Sequence, residues 1–248
     1  MREFGGLLSN HKGLIRSDEE FDSLALGHRW RVQTVNLHHL ALAKRDARFK
    51  SSILEADWIT ADGWPVVSFL RAHGRNVERV TGSAWLLRAL NDGRMKRLRV
   101  GLLGGSAGAG DGLQRFGLDL IWRDHRDKAD WTSAGIAESL NAARVEVLLV
   151  AVTPPHGDLI GADISAAGFN GSIIAVGGGV DMAVGIQRRS PQLIQDLHLE
   201  WFFRFVNAPR RLGKRYFVHC LPFFVTDLVP VILRAKCRRN LTGGLGRP

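Results

Sequence analysis

The chain has 248 residues, which suits one large α/β domain or one domain with an appendage. Hydrophobic residues make up 45% of it and charged residues 23%, which is enough apolar content for a core and excludes global disorder. The net charge of +10 is concentrated in residues 186–248, where twelve Lys and Arg stand against three acidic residues, so this quarter requires an anionic partner: nucleic acid, anionic lipid or a phosphorylated substrate.

Apolar segments alternate along the chain in the order expected of an α/β fold. Strands are predicted at 31–35, 98–103, 145–152 and 172–176, and helices at 38–49, 65–73, 83–91 and 134–143. This alternation predicts a parallel sheet with helices on both faces. The composition shifts near residue 188, so we predict an α/β domain over 1–187 and a basic, amphipathic, helical appendage over 188–248.

Two glycine-rich turns follow predicted strands, one at 101–110 and one at 177–179. Glycine allows the backbone to approach a phosphate closely, and the helix after each turn offers free N–H groups. Gly104, Gly105, Ser106, Gly178 and Gly179 are therefore candidate phosphate-binding residues. Neither turn has the spacing of the dinucleotide fingerprint or of a P-loop, and ordinary tight turns explain the glycines equally well.

Three polar residues follow the first two predicted apolar segments. Asp62 would point a carboxylate into a cleft at the end of a strand, as a general base requires, although spacing alone favours a simple turn aspartate before Gly63. Thr34 and Asn36 end the first strand, where they would face the same cleft or cap the helix that follows.

Arginines alternate irregularly with aromatic residues between 188 and 216. Because arginine binds phosphate with two parallel hydrogen bonds, the cluster suits a diphosphate. Nucleic acid is the competing anion, but single-strand binding needs exposed stacking aromatics, and the sequence has no RRM, helix-turn-helix or KH pattern. A solvated basic helix would give the same pattern without any ligand.

The tail at 217–239 places apolar residues ahead of four basic ones, a pattern that fits a segment lying on an anionic membrane. A packed C-terminal helix that completes the core is the alternative. We expect no segment to reach the ~18 apolar residues of a membrane-spanning helix. Two cysteines without metal-ligand spacing predict no structural zinc and a reduced, cytoplasmic setting.

Seven groups of residues along the chain occur in the order found in a known family. They are Thr34-Val35-Asn36; Ala61-Asp62-Gly63; Glu78-Arg79-Val80-Thr81-Gly82; Leu102-Leu103-Gly104-Gly105; Val176-Gly177-Gly178-Gly179-Val180-Asp181; Arg189-Ser190-Pro191 with Leu199-Glu200-Trp201; and Arg204 with Pro209-Arg210-Arg211 and Arg215-Tyr216. In this order the chain resembles the WecG/TagA/CpsF family of bacterial glycosyltransferases across most of its length.

The resemblance implies a Rossmann-like sheet and an inverting transfer without metal or cofactor, from a UDP-sugar to a sugar on a polyprenyl diphosphate, in cell-surface polysaccharide synthesis. It implies a peripheral protein on the cytoplasmic face of the bacterial inner membrane that has no nucleic-acid partner. Whether the protein forms a homo-oligomer is left open. Asp62 would be the base, with Thr34 and Asn36 beside it. The implied substrate-binding residues are Gly104, Gly105, Ser106, Gly178, Gly179, Asp181, Arg189, Glu200, Arg204, Arg210, Arg211 and Arg215.

One segment departs from the family pattern. Family members carry Pro-Lys-Gln-Glu after the strand that matches 145–152, whereas this chain has Thr-Pro-Pro-His-Gly-Asp at 153–158. His156 or Asp158 would then replace the missing polar side chains. The departure also motivates an alternative, a diverged protein that binds a nucleotide or a lipid diphosphate in a polysaccharide assembly complex without catalysis.

Overall fold

A parallel sheet forms the centre of the computed structural model, which describes residues 2–187, 191, 194, 200–207 and 209–243. Six strands are present in this part of the chain, in the spatial order β2-β1-β6-β5-β3-β4. They are β1 (Trp30–Val35), β2 (Trp58–Ala61), β3 (Arg99–Gly104), β4 (Asp119–Asp124), β5 (Val147–Ala151) and β6 (Ser172–Ala175). The predicted α/β fold with a Rossmann-like parallel sheet is confirmed.

Helices cover the sheet and connect its strands. They are α1 (Arg2–Ser9), α2 (Asp18–Asp22), α3 (Leu37–Ala43), α4 (Ala47–Leu54), α5 (Trp64–Ala72), α6 (Gly82–Asn91), α7 (Ala109–Arg115), α8 (Ser133–Ala142), α9 (His156–Ala166), α10 (Gly179–Ala183) and α11 (Glu200–Asn207). The single helix predicted at 38–49 is wrong. The chain forms α3 and α4 instead, because the side chain of Asp46 caps a new helix by accepting from the Phe49 N–H.

The chain order of the strands creates a crevice between β5 and β3. The connection after β5 runs through α9 to β6 on one side, and that after β3 runs through α7 to β4 on the other. Ligands of open parallel sheets bind at such a reversal, outside the carboxyl ends of the strands. Both glycine-rich turns lie at this edge, since they follow β3 and β6.

The chain is helical without a break from Pro209 to Gly243. It runs through α12 (Pro209–Gly213), π-helical turns at Lys214–Cys220, α13 (Leu221–Phe223), further π-helical turns at Phe224–Leu228, and α14 (Val229–Gly243). We call residues 214–243 the C-terminal helix. A C-terminal helical appendage is therefore present as predicted, whereas a domain boundary at 187/188 stays a prediction.

The C-terminal helix packs into the same core as the sheet. Phe223 and Leu228 are buried in an apolar cluster with Leu40 and Phe69, from α3 and α5. The Lys44 ammonium adds an ion pair, at 2.8 Å from both carboxylate oxygens of Asp227 on the helix. The C-terminal helix is therefore packed against the α/β core along this face.

The opposite face of the C-terminal helix is apolar and exposed. Phe217, Val218, Leu221, Val225 and Leu233 are each 50–56% accessible to solvent. The stretch Arg215–Ala235 is 21 residues long and contains an 18-residue window with a mean hydropathy of 1.8, so by length and composition alone it is able to cross a membrane. The expectation that no segment reaches this length is therefore wrong.

Candidate active site

A cavity of about 300 Å³ lies between the carboxyl ends of β1 and β2 and the C-terminal helix. Asn36 directly follows β1, and Asp62 directly follows β2. The Asp62 N–H donates to the Val35 carbonyl at 2.8 Å, which brings the two polar residues to the same edge of the sheet. The lining residues are Asn36, Leu37, His38, Asp62, Gly63, Trp64, Pro65, Arg79, Arg215, Tyr216, Phe217, Cys220, Leu221 and Phe224.

Asn36 connects the sheet, α3 and the C-terminal helix. Its side-chain oxygen accepts from the backbone N–H groups of His38 and His39 at 3.0 and 3.4 Å, which caps α3. The Arg215 Nη2 atom lies 3.5 Å from the same oxygen. The cavity therefore holds an amide, a carboxylate and a guanidinium brought together from three elements.

Arg79 adds a second guanidinium to the cavity. It lies in the segment between α5 and α6, which is held against the sheet because the Val80 N–H donates to the Ala61 carbonyl at 3.0 Å. Sequence reasoning missed Arg79 as a site residue. The available signal was its place in the run Glu78-Arg79-Val80-Thr81-Gly82, but nothing in that run shows that it meets Asp62 and Arg215.

His38 is buried beside this cluster of positive charge. Burial, and after it the charges of Arg215 and of the nearby His39 and His219, together lower its pKa to about 3. His38 is therefore neutral at pH 7. A neutral imidazole leaves the cationic character of this part of the cavity to the two arginines.

The two glycine-rich turns meet at the crevice between β5 and β3. The Ser106 hydroxyl donates to the Asp181 carboxylate at 2.8 Å, which joins the turn after β3 to the start of α10. Gly104 has a φ of +78°, and a Cβ there would lie 2.6 Å from Val152. At Gly178, by contrast, an added Cβ would have no atom within 4 Å. The second turn therefore leaves room for a ligand against the backbone.

A second cavity, of about 490 Å³, opens at the carboxyl end of β4. Asp124 and Arg126 line it and form an ion pair at 2.6 Å. In the sheet, Asp124 lies opposite Leu103, the residue before Gly104. The cavity is therefore adjacent to the first glycine-rich turn, twenty residues further along the chain.

The other predicted site residues either do not line the cavity or lie outside the described part of the chain. Thr34 is buried, and its hydroxyl donates to the Ala175 carbonyl at 3.0 Å and does not line the cavity. Arg210 is exposed and also outside the lining. Arg189 lies outside the described residues, as do the side chains of Glu200, Arg204 and Arg211. The substrate-binding role of these residues stays a prediction.

The residues that replace the family's Pro-Lys-Gln-Glu motif point in different directions. His156 is exposed at the start of α9, whereas Asp158 is buried, with 4% of its surface accessible. Asp158 contacts Gln33 and His39 and does not line the cavity. Among the described residues, no group of three or more His, Cys, Asp or Glu is arranged to hold a metal ion.

Comparison with protein families identifies the chain. The model of the glycosyl transferase WecG/TagA/CpsF family matches residues 18–240, which is nearly the whole sequence. The chain belongs to this family. The glycosyltransferase is thus a member of a family that acts in cell-surface polysaccharide synthesis, and a sugar-nucleotide donor and a lipid-linked acceptor are its substrates in general terms. Asp62, Asn36 and Arg215 of this glycosyltransferase share one cavity.

Proposed function

We propose that the glycosyltransferase moves a sugar from a UDP-sugar to a sugar carried on a polyprenyl diphosphate, with inversion at the anomeric carbon. The observation that carries the proposal is the cavity in which Asp62, the single carboxylate among the described residues that line it, stands with two guanidinium groups, from Arg79 and Arg215. One carboxylate suffices for an inverting transfer because the leaving group is a diphosphate that needs no acid.

The proposed step begins with the acceptor hydroxyl. Asp62 takes its proton while the hydroxyl oxygen forms a bond to the anomeric carbon of the donor. The bond from that carbon to the UDP oxygen breaks through an oxocarbenium-like transition state, and UDP leaves with the electron pair. Arginine side chains and backbone N–H groups stabilise the charge that develops on the diphosphate.

The donor is proposed to bind across the glycine-rich turns. Open space at Gly178 and the bonded pair of Ser106 and Asp181 support a diphosphate at the crevice between β5 and β3. The nucleoside of the donor is proposed to bind in the second cavity, because Asp124, which lines that cavity, ends β4 next to the turn at Gly104. A carboxylate at that position suits the hydroxyls of a ribose.

The acceptor is proposed to reach Asp62 from a membrane surface. Phe217 and Leu221 support this, because both line the cavity and both belong to the exposed apolar face of the C-terminal helix. A lipid chain on this face would be continuous with the apolar wall of the cavity. Because the other face packs on the core through Phe223 and Leu228, we infer that the helix lies on the membrane and does not cross it. With this we propose a peripheral position on the cytoplasmic face of the bacterial inner membrane, which is the position that the family resemblance implies.

The test is transfer from radiolabelled UDP-sugars to a synthetic polyprenyl-diphosphate-linked sugar by wild type and by Asp62→Asn. Loss of a general base is expected to reduce turnover by about 100-fold or more, with UDP affinity nearly unchanged. Asp119→Asn, at the amino end of β4, is the matched control and keeps wild-type turnover. Wild-type turnover in Asp62→Asn would overturn the assignment of the base. Binding of a UDP-sugar by wild type without any transfer would favour a non-catalytic binding protein.

A further inference from the structure

Four buried polar side chains contact one another in a series that extends through the protein to the candidate active site. Arg31, Gln33, His39 and Asp158 are each at most 4% accessible to solvent. They come from β1, α3 and α9. Buried charges are costly unless they are paired, so such a chain inside an apolar core requires an explanation.

The contacts run in sequence from Arg31 to Asn36. Arg31 Nη1 donates to Gln33 Oε1 at 3.1 Å, and Gln33 Nε2 donates to Asp158 Oδ1. His39 Nε2 lies 3.4 Å from Asp158 Oδ2, and His39 Nδ1 accepts from the Asn36 backbone N–H at 3.2 Å. Asn36 then lines the cavity and meets Arg215 through its side-chain oxygen.

The chemistry of the two ends determines the direction of every contact. A guanidinium and a backbone N–H only donate, so hydrogen bonds run inward from both Arg31 and Asn36. His39 must therefore accept at Nδ1 and carry its proton on Nε2, where it faces Asp158. The middle position faces donor groups on both sides, with a hydrogen bond from Gln33 to Oδ1 and a longer polar contact of 3.4 Å between His39 Nε2 and Oδ2, and among side chains of this size only a carboxylate presents an acceptor to both.

We propose that Asp158 and His39 are positioning residues that hold Asn36, and through it Arg215, in the geometry needed for transfer. Asp158 sets the tautomer of His39, and His39 holds the backbone N–H of Asn36 at the start of α3. The assignment of a hydrogen-bonding pattern rests on the contacts alone, whereas its effect on transfer rests on the proposed function.

Asp158→Asn is the decisive single change because it preserves shape and replaces one acceptor with a donor. Whichever way the new amide is turned, its NH₂ group faces a donor, on Gln33 or on His39. Reorientation of Gln33 or a change of the His39 tautomer only moves this donor-to-donor mismatch to the next contact. It ends at Arg31 or at the Asn36 N–H, and neither of these groups is able to accept a hydrogen bond. The variant is expected to lose the contact between His39 and the Asn36 N–H, or to keep an unpaired donor.

A second substitution is expected to repair the first. In the double variant Gln33→Glu/Asp158→Asn, the new carboxylate at position 33 accepts from Arg31 and from the new amide nitrogen at position 158. The amide oxygen at position 158 then accepts from His39 Nε2, and the remaining contacts are those of the wild type. Both changes keep side-chain volume and together they keep the same net charge, so recovery would follow from hydrogen-bond direction alone.

The experiment measures ring-nitrogen NMR shifts of ¹⁵N-labelled His39 together with transfer kinetics in wild type, both single variants and the double variant. Wild type and the double variant are expected to show the proton on Nε2. In Asp158→Asn the proton moves to Nδ1 if the amide nitrogen faces His39, and it stays on Nε2, with an unpaired donor at Arg31, if the amide nitrogen faces Gln33. In the same proteins, kcat/KM for the lipid-linked acceptor is expected to fall about 10-fold or more in Asp158→Asn and to recover to within about threefold in the double variant. UDP affinity stays unchanged, because the glycine-rich turns belong to other elements; a merely structural defect would lower it too.

A proton on Nδ1 of His39 in wild type, wild-type kinetics in Asp158→Asn, or a double variant that does not recover the kinetics would each overturn the proposal. If Asp158→Asn does not fold, the comparison of the double variant with wild type decides in the same way. If wild type transfers no sugar, the proposed function fails, and the NMR comparison still tests the pattern of hydrogen bonds.

Discussion

The Nη2 atom of Arg215 lies 3.5 Å from the side-chain oxygen of Asn36, although 179 residues separate them in the sequence. Asn36 is held by the cap of α3, and Arg215 belongs to the first turns of the C-terminal helix. The contact therefore makes the cavity depend on how the helix packs against the sheet. Any change that moves the helix is expected to move a guanidinium in the site.

Replacement of Arg215 tests this relationship. Arg215→Ala is expected to lower kcat/KM for transfer by about 100-fold, because a charged donor to a diphosphate is lost from the cavity. Arg215→Lys keeps the positive charge but lacks the planar guanidinium that donates two parallel hydrogen bonds, so it is expected to retain only part of the wild-type kcat/KM. Arg97→Ala, at an exposed arginine that precedes β3, is the matched control. Equal losses in the two alanine variants would mean that net basic charge, and not position, matters.

The open backbone at Gly178 provides a test of the donor site that leaves the fold intact. A Cβ at Gly178 would meet no atom within 4 Å, and the φ of −70° suits any residue. Gly178→Ala is therefore expected to melt within about 2 °C of wild type while weakening UDP binding by about 10-fold, since a methyl group would stand where the phosphate approaches. Calorimetric titration with UDP measures the change; wild-type affinity would place the diphosphate elsewhere.

The apolar face of the C-terminal helix is expected to bind membranes. Val218→Ser/Val225→Ser changes two exposed residues outside the cavity lining and is expected to weaken binding to vesicles containing phosphatidylglycerol by about 10-fold. Vesicle sedimentation measures it. The melting temperature should stay near that of wild type. Unchanged sedimentation would exclude this face as the contact.

A change on the buried face of the same helix is the control for that experiment. Leu228→Ala is expected to cost about 2–4 kcal/mol of unfolding free energy, because Leu228 is fully buried, and to leave vesicle binding of the folded protein unchanged. Point substitutions are preferable to truncation here. Removal of the chain after Tyr216 would also remove Phe223 and Leu228 from the core.

The buried His38 predicts a loss of stability in mild acid. Its pKa is about 3 in the folded protein against an ordinary value of 6.5, so between these pH values only the unfolded chain binds the proton. Stability therefore falls as pH is lowered from 6.5 towards 3. His38→Gln is expected to reduce the loss between pH 7 and pH 5 by about 1–2 kcal/mol in urea unfolding. His156→Gln, at an exposed site, is the control, and the same pH dependence in both variants would contradict the prediction.

Local patterns were sufficient for much of the sheet and for part of the site. Continuous apolar runs such as that at 145–152 are typical of strands buried on both faces, and β5 is one of them. β4 was missed because Asp-Leu-Ile-Trp-Arg-Asp has only three consecutive apolar residues between charged ones, a run too short to indicate a strand, although it is sufficient at the edge of the sheet. Asn36 and Asp62 were found because polar residues after parallel strands collect at one edge.

Arg79 and Asp158 show where local patterns stop being informative. Arg79 lines the cavity, yet it lies in an irregular segment with no periodicity to assign its direction. From the sequence, Asp158 was one of two candidates to replace the polar side chains of the missing family motif. It is buried instead, because α9 turns it towards Gln33 and His39. Which way a polar side chain points depends on the packing of its helix, and the partners that decide this are distant in sequence.

The sequence by itself determined the family, the α/β class, the glycine-rich turns and the basic, apolar end of the chain. These follow from composition, from periodicity and from the order of short motifs, all of which are local. Only the tertiary structure decided that Asn36, Asp62, Arg79 and Arg215 share one cavity and that Phe223 and Leu228 complete the core. Such contacts join residues far apart in the chain, and they form only when helices and sheet pack together.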